Sequence, residues 1–224
     1  MSALRPPPPG FVDLRALDVP HGAVQHGAAP PLSAPGLEAA PLRFAIAYAG
    51  VDNFAGEPMP GYGSPGAWLR PGPAEALQAA RAVLAADGLG LVIFDAYRPV
   101  RATEGMWAWA QRVGQTALFD QGWIARRSRH NTGVAVDLAL TTADGTPLDH
   151  GSPFDAFDDR SRWGAPVPPA AQAWRGKLRA VMIQAGFRPY DQEWWHFERP
   201  TDPPAARCDV PYGADEPEGA LEVP

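Results

Sequence analysis

The sequence predicts an α+β protein, a single domain with a mainly antiparallel sheet and helices packed on it. Segments of strand and helix period alternate as strand, helix, strand, helix, strand, helix and a closing strand pair. No glycine-rich phosphate turn of the doubly wound kind lies between them. At 224 residues, 46% hydrophobic and 20% charged, the chain suits one domain with a core of ordinary size.

Residues 1–10 read as an extended, solvated, proline-led arm, and residues 11–19 as a short strand or ordered loop. From His21 to Pro41 the chain is rich in Gly, Ala, Pro and Ser, the composition of a surface insertion. Arm and insertion together occupy residues 1–42, ahead of the main domain at 43–200. Phe44, Ile46 and Tyr48 alternate as a half-buried strand requires. Leu77, Ala80, Val83 and Leu84 recur at helical spacing over residues 74–86, with Gly88 placed as a C-cap. The apolar run 89–94 is a strand buried on both faces, and Pro99 in Asp95-Ala96-Tyr97-Arg98-Pro99 stops it.

A second helix begins near Thr103, with Trp107 and Trp109 assigned to core packing. Residues 134–140 form a strand, followed by a turn-rich loop to Gly151 and an acidic loop at 152–159. Trp174, Leu178, Val181 and Met182 stripe a third helix at 170–185. Residues 187–190 and 194–198 make a closing hairpin around Asp191-Gln192-Glu193, and the acidic, proline-rich tail 201–224 has little capacity to pack.

Composition removes several function classes. A net charge of −6 without clustered cations argues against a nucleic-acid partner. The single cysteine, Cys208, excludes a disulfide framework and a cysteine-rich metal cluster. No apolar run reaches about 18 residues, so no membrane span is expected. The first ten residues lack the apolar core of a signal peptide, which makes the cytoplasm the expected location.

Chemistry concentrates in Ser128-Arg129-His130-Asn131-Thr132-Gly133 and the strand that follows. Val134, Val136, Leu138 and Leu140 share a core face, while Asp137 stands between Ala135 and Ala139 on the other, with space above it. His130 precedes Asp137 by seven residues, an odd number, so one continuous strand would put them on opposite faces. His130 therefore belongs to a loop that Gly133 folds back. Catalytic zinc commonly takes three protein ligands and keeps a fourth position for water. Of the other histidines, His21 and His26 lie in the insertion and His150 in a turn. His196, within Glu193-Trp194-Trp195-His196-Phe197, points away from the core-facing Trp195 and Phe197 and is the best third ligand. Glu193, placed in the turn leading in, can take a proton from zinc-bound water and return it to a leaving amine. Arg98, at the end of a buried strand, is the candidate to neutralise a developing oxyanion.

Each residue alone has an ordinary structural account. His130 could bond backbone, Asp137 could pair with an arginine, and His196 could sit among aromatics. Glu193 could be a turn carboxylate and Arg98 a salt-bridge partner of Asp95. One zinc site replaces these five separate explanations.

The same residues carry a resemblance. Val51-Asp52-Asn53-Phe54, Phe94 to Pro99, Ser128 to Leu140, Gly151 to Asp155 and Glu193 to His196 resemble the zinc-dependent D-alanyl-D-alanine dipeptidases of the vancomycin-resistance type. That family shares a fold with D,D-carboxypeptidases, lysostaphin-like endopeptidases and the hedgehog signalling domain. The resemblance implies one zinc per chain on His130, Asp137 and His196, with Glu193 as base and Arg98 as transition-state stabiliser. It further implies that Tyr48, Ser128 and Asp155 line a small pocket for a dipeptide. Asp155 would meet the free ammonium and Ser128 would help hold the carboxylate end. The expected function is hydrolysis of D-Ala-D-Ala or a closely related dipeptide. The alternatives are a D,D-carboxypeptidase or endopeptidase acting on cell-wall peptides, which would need an open groove, and a metal-binding module without turnover.

Overall fold

A five-stranded sheet forms the middle of the molecule. The computed structural model describes residues 2–18 and 41–223, so the expected insertion at His21 to Pro41 lies outside the described residues except for Pro41. In chain order the elements are β1 (Val12–Asp13), β2 (Leu42–Phe44), β3 (Trp68–Leu69), α1 (Pro71–Ala86), β4 (Leu89–Asp95), α2 (Val100–Val113), the short α3 (Ala117–Asp120), β5 (Ala135–Thr142), α4 (Pro169–Gln184), β6 (Arg188–Tyr190) and β7 (Glu193–Glu198). The sheet order is β2-β4-β5-β7-β6. Only β2 and β4 run parallel in it; the other pairs are antiparallel, as the expected α+β class requires. A separate two-stranded piece joins β1 to β3.

The apolar run of β4 is buried on both faces, with Leu91 and Ile93 fully enclosed. Helix α1 buries Ala74, Leu77, Ala80 and Leu84. It begins at Pro71, three residues before the apolar stripe, because proline suits a first turn whose amides need no helical partner. Helix α2 likewise starts at Val100, directly after Pro99, and ends on left-handed Gly114. Trp107 and Trp109 on it are only half-buried, packing against the core from its edge. The strand expected at 43–48 is shorter: it leaves the sheet after Phe44, and a 3-10 turn at Ala47–Ala49 buries Tyr48. No helix among the described residues is long and apolar enough to cross a membrane.

The arm and the tail differ most from expectation. Instead of being solvated, the arm pairs with the tail: Arg5 N donates to Tyr212 O at 2.7 Å and Ala214 N to Ala3 O at 2.8 Å. Tyr212 is fully buried, its ring 4.3 Å from Trp68 and 5.3 Å from Tyr62. Its hydroxyl donates to Tyr97 O at 2.6 Å. Gly66 makes room for that ring, since a Cβ there would stand 2.0 Å from Tyr212 Cδ1. Average composition concealed this, because one enclosed aromatic outweighs many solvated prolines.

Tyr212→Ala should lower the unfolding free energy by about 3–5 kcal/mol through lost burial and the cavity left behind. Urea denaturation checks this, and a loss below about 1 kcal/mol would mean that the tail is not part of the core.

Candidate active site

Strand register places the central carboxylate and one histidine side by side. Asp137 on β5 lies opposite His196 on β7 and opposite Asp95 on β4. Residues directly opposed on antiparallel strands project to the same face, so Asp95, Asp137 and His196 form a row across three strands. The face around Asp137, expected to be open, is covered: Asp137 is 3% exposed, and Ala135 and Ala139 are buried too.

Two irregularities complete the row. On β4 the register advances two residues, Ile93 to Asp95, while β5 advances one, Leu138 to Asp137. This bulge turns Asp95 toward the row; regular pairing would align it with core-facing Val136. In the β6–β7 hairpin Pro189 pairs with Phe197 but Tyr190 with Glu193. Glu193, expected in the turn, is thus the first residue of β7. The irregularity lets Glu193 and His196 approach although they are three apart on a strand, with Glu193 Oε2 3.9 Å from His196 Nδ1.

His130 arrives from a 3-10 turn at Arg129–Thr132. The Ser128 side chain caps that turn, its Oγ accepting from His130 N at 3.2 Å. Gly133 closes it at φ +72°, and a Cβ there would stand 2.3 Å from the Phe11 ring, so glycine is required twice over. His130 Nδ1 lies 2.6 Å from Ala96 O and must donate to it, which leaves the Nε2 lone pair facing the cluster. Nε2 is 3.2 Å from Asp137 Oδ2 and 3.1 Å from His196 Nδ1. His196 Nδ1 is in turn 2.9 Å from Asp137 Oδ1.

These donors suit a metal. One ligand atom from each of His130, Asp137 and His196 lies within 4.8 Å of the others. Donors held about 2.0–2.2 Å from one tetrahedral ion stand roughly 3.3 Å apart, and two imidazoles with one carboxylate match the preference of zinc. Without a cation, two imidazole nitrogens would face each other at 3.1 Å, tolerable only if one carries a proton.

Arg98 is bound in two ways. Its Nε donates to Asp95 Oδ2 at 2.9 Å, and its Nη2 lies 2.8 Å from that oxygen and 3.9 Å from Asp137 Oδ2. The pairing with Asp95 is real, and it aims the guanidinium over the Tyr48 ring at 4.9 Å. Asp95 itself is held by Tyr62 and by Ala96 N. Tyr48 donates to Asp155 Oδ2 at 2.7 Å, and Asp155 sits in a left-handed conformation at φ 56°.

Electrostatics sort the acids. Burial works against an ionised Asp137, but His130 and His196 hold its carboxyl well below the usual range. Burial alone would lower the His130 pKa; the Asp137 and Asp95 charges outweigh it and raise it. Glu193 is pushed well upward by burial, with Asp137 and Asp155 adding to the effect against Arg98. Asp155 is raised to about 7, chiefly by burial, with the Tyr48 hydrogen bond and Arg98 opposing and the Asp137 and Asp95 charges assisting.

All eight residues singled out from the sequence line one cavity of about 330 Å³. Asp95, which anchors Arg98, reads from the sequence only as a possible salt-bridge partner. The aromatic wall of Phe54, Trp123 and Phe157 has no expectation from the sequence behind it. Its residues come from three loops, and no periodicity links them.

The peptidase M15 family model, described as D-ala-D-ala dipeptidase, matches residues 39–212. A D-alanyl-D-alanine dipeptidase of Enterococcus faecium is 33% identical over 186 residues, covering 76% of this chain and 92% of that protein. One from Escherichia coli (strain K12) is 36% identical over 160 residues, covering 71% and 79%. One from Streptomyces coelicolor is 34% identical over 179 residues, covering 72% and 88%.

Asp155 has a folded pKa above that of an unfolded aspartate, so its stabilising effect is complete below about pH 4 and is lost as pH rises through about 7. Metal-free protein should therefore lose stability over that window, and Asp155→Asn should flatten this part of the profile. Chemical denaturation at several pH values gives the comparison; parallel profiles for the two proteins would contradict the raised value.

Proposed function

The chain belongs to the D-ala-D-ala dipeptidase family, and from that premise we propose that it hydrolyses D-Ala-D-Ala or a closely related dipeptide, using one zinc ion held by His130, Asp137 and His196. The observation that carries the proposal is the convergence of His130 Nε2, Asp137 and His196 Nδ1 in one cavity beside Glu193. A zinc ion there would polarise the scissile carbonyl and make water acidic enough to attack at neutral pH.

The side chains divide the remaining work. Glu193 takes a proton from the attacking water and passes it to the departing amine. Burial suits it to this, because a carboxylate with a raised pKa holds a proton long enough to return it. Arg98 stabilises the oxyanion that forms on the scissile carbonyl. Its Nε and Nη2 are fixed by Asp95, while Nη1 has only the weak acceptor Met106 Sδ at 3.6 Å and remains free to donate. Asp155, oriented by Tyr48, receives the free ammonium of the substrate. Ser128 has its oxygen occupied by His130 N and its proton available for the substrate carboxylate. Satisfying both poles of a zwitterion at once favours a dipeptide over longer chains.

Zinc-loaded protein should release free alanine from D-Ala-D-Ala, stop with a chelator and resume with added zinc. It should leave cell-wall pentapeptides uncut; cleavage of these would favour a carboxypeptidase. A panel of D,D-, L,D- and L,L-dipeptides with no turnover, zinc being bound, would refute the dipeptidase activity.

Glu193→Gln should retain one zinc per chain by metal analysis while kcat falls about 10²–10⁴-fold. Unchanged kcat would remove Glu193 from the proton transfers.

A further inference from the structure

The cavity holds a surplus of acids. Asp137, Asp155, Glu193 and Glu198 all line it, yet the dipeptide it is proposed to bind carries a carboxylate of its own. A carboxylate entering among four acids needs a cation that is not already engaged. Three guanidiniums line the cavity, those of Arg98, Arg127 and Arg129. Arg98 is held by Asp95 through Nε at 2.9 Å and Nη2 at 2.8 Å, and its remaining Nη1 is the donor assigned above to the oxyanion. The Arg129 Nε lies 3.2 Å from Glu198 Oε2. Arg127 is exposed, and its guanidinium has no hydrogen-bond or ion-pair partner among the described residues. It directly precedes Ser128, whose hydroxyl proton is free but can contribute only one neutral hydrogen bond.

We infer that Arg127 is a specificity-determining residue that pairs with the terminal carboxylate of the substrate. The inference rests on the dipeptidase function proposed above and adds a residue to it. A guanidinium offers two parallel donors to a carboxylate, a geometry that a hydroxyl cannot match. Arg127 therefore makes the enzyme select a free C-terminal acid over an amide or a continuing chain. Its contact is the same before and during reaction, so it governs substrate binding and not the chemical step.

The experiment uses the zinc-loaded full chain with two substrates, D-Ala-D-Ala and its C-terminal amide. Arg127→Gln should raise KM for the free acid about tenfold, leave kcat unchanged and leave the amide unaffected, so that discrimination between the two collapses. Arg127→Lys, which keeps the charge but not the paired donors, should restore only part of the preference. Arg126→Gln is the control: Arg126 stacks on the Trp107 ring at 3.4 Å, lies outside the cavity lining and should change nothing. If Arg127→Gln shifts acid and amide equally, or neither, the assignment of Arg127 is wrong and the dipeptidase function stands. If wild-type enzyme cleaves neither substrate, the dipeptidase function fails and the role of Arg127 fails with it.

Discussion

A buried carboxylate with its charge intact is the constraint on which the site depends. Asp137 lies in the middle of the sheet, where burial would ordinarily drive it to neutrality. It stays ionised because two imidazoles stand within 3.2 Å, with the Arg98 guanidinium further off at 3.9 Å. Two of those partners are fixed in turn by groups behind them. Ala96 O sets the tautomer of His130, and Asp95 sets the aim of Arg98. Removing one partner would leave an uncompensated charge inside the protein, and that penalty keeps the donors together.

This arrangement needs a sheet that is irregular in the right places. Regular pairing would turn Asp95 toward the core and separate Glu193 from His196. The bulge in β4 and the register shift between β6 and β7 correct both. The two irregularities lie on either side of β5 in the sheet order, and Asp137 is the residue of β5 paired on both sides, with Asp95 and with His196.

Much of this was legible in the sequence, and the limits have physical causes. Alternation at residues 134–140 identified the strand and the face of Asp137, because side-chain direction has a strict period of two. The turn at Gly133 was legible because few residues other than glycine accept that backbone. Register shifts leave no compositional trace, so the place of Glu193 in β7 and the turning of Asp95 could be seen only in three dimensions. Proline-rich composition likewise suggested a loose tail while Tyr212 was filling a gap between distant aromatics. Local pattern reports local structure; contacts across the whole chain escape it.

The tail also reaches behind the site. Cys208 N donates to Asn131 O at 2.8 Å, Val100 N to Cys208 O at 3.1 Å, and Val210 N to the Tyr97 hydroxyl at 2.8 Å. Residues 208–212 thus tie the segment bearing Arg98 to the turn bearing His130, and they meet the arm at the opposite end of the chain. During synthesis, β7 and its histidine emerge before this tie exists. A nascent chain ending near residue 200 would carry His130, Asp137 and His196 and the direct bond from Arg98 N to His130 O, but not this second tie behind them. The placing of Arg98 and His130 therefore draws on a segment that contributes nothing to the cavity lining, so a truncation sparing every lining residue would still loosen the site from behind.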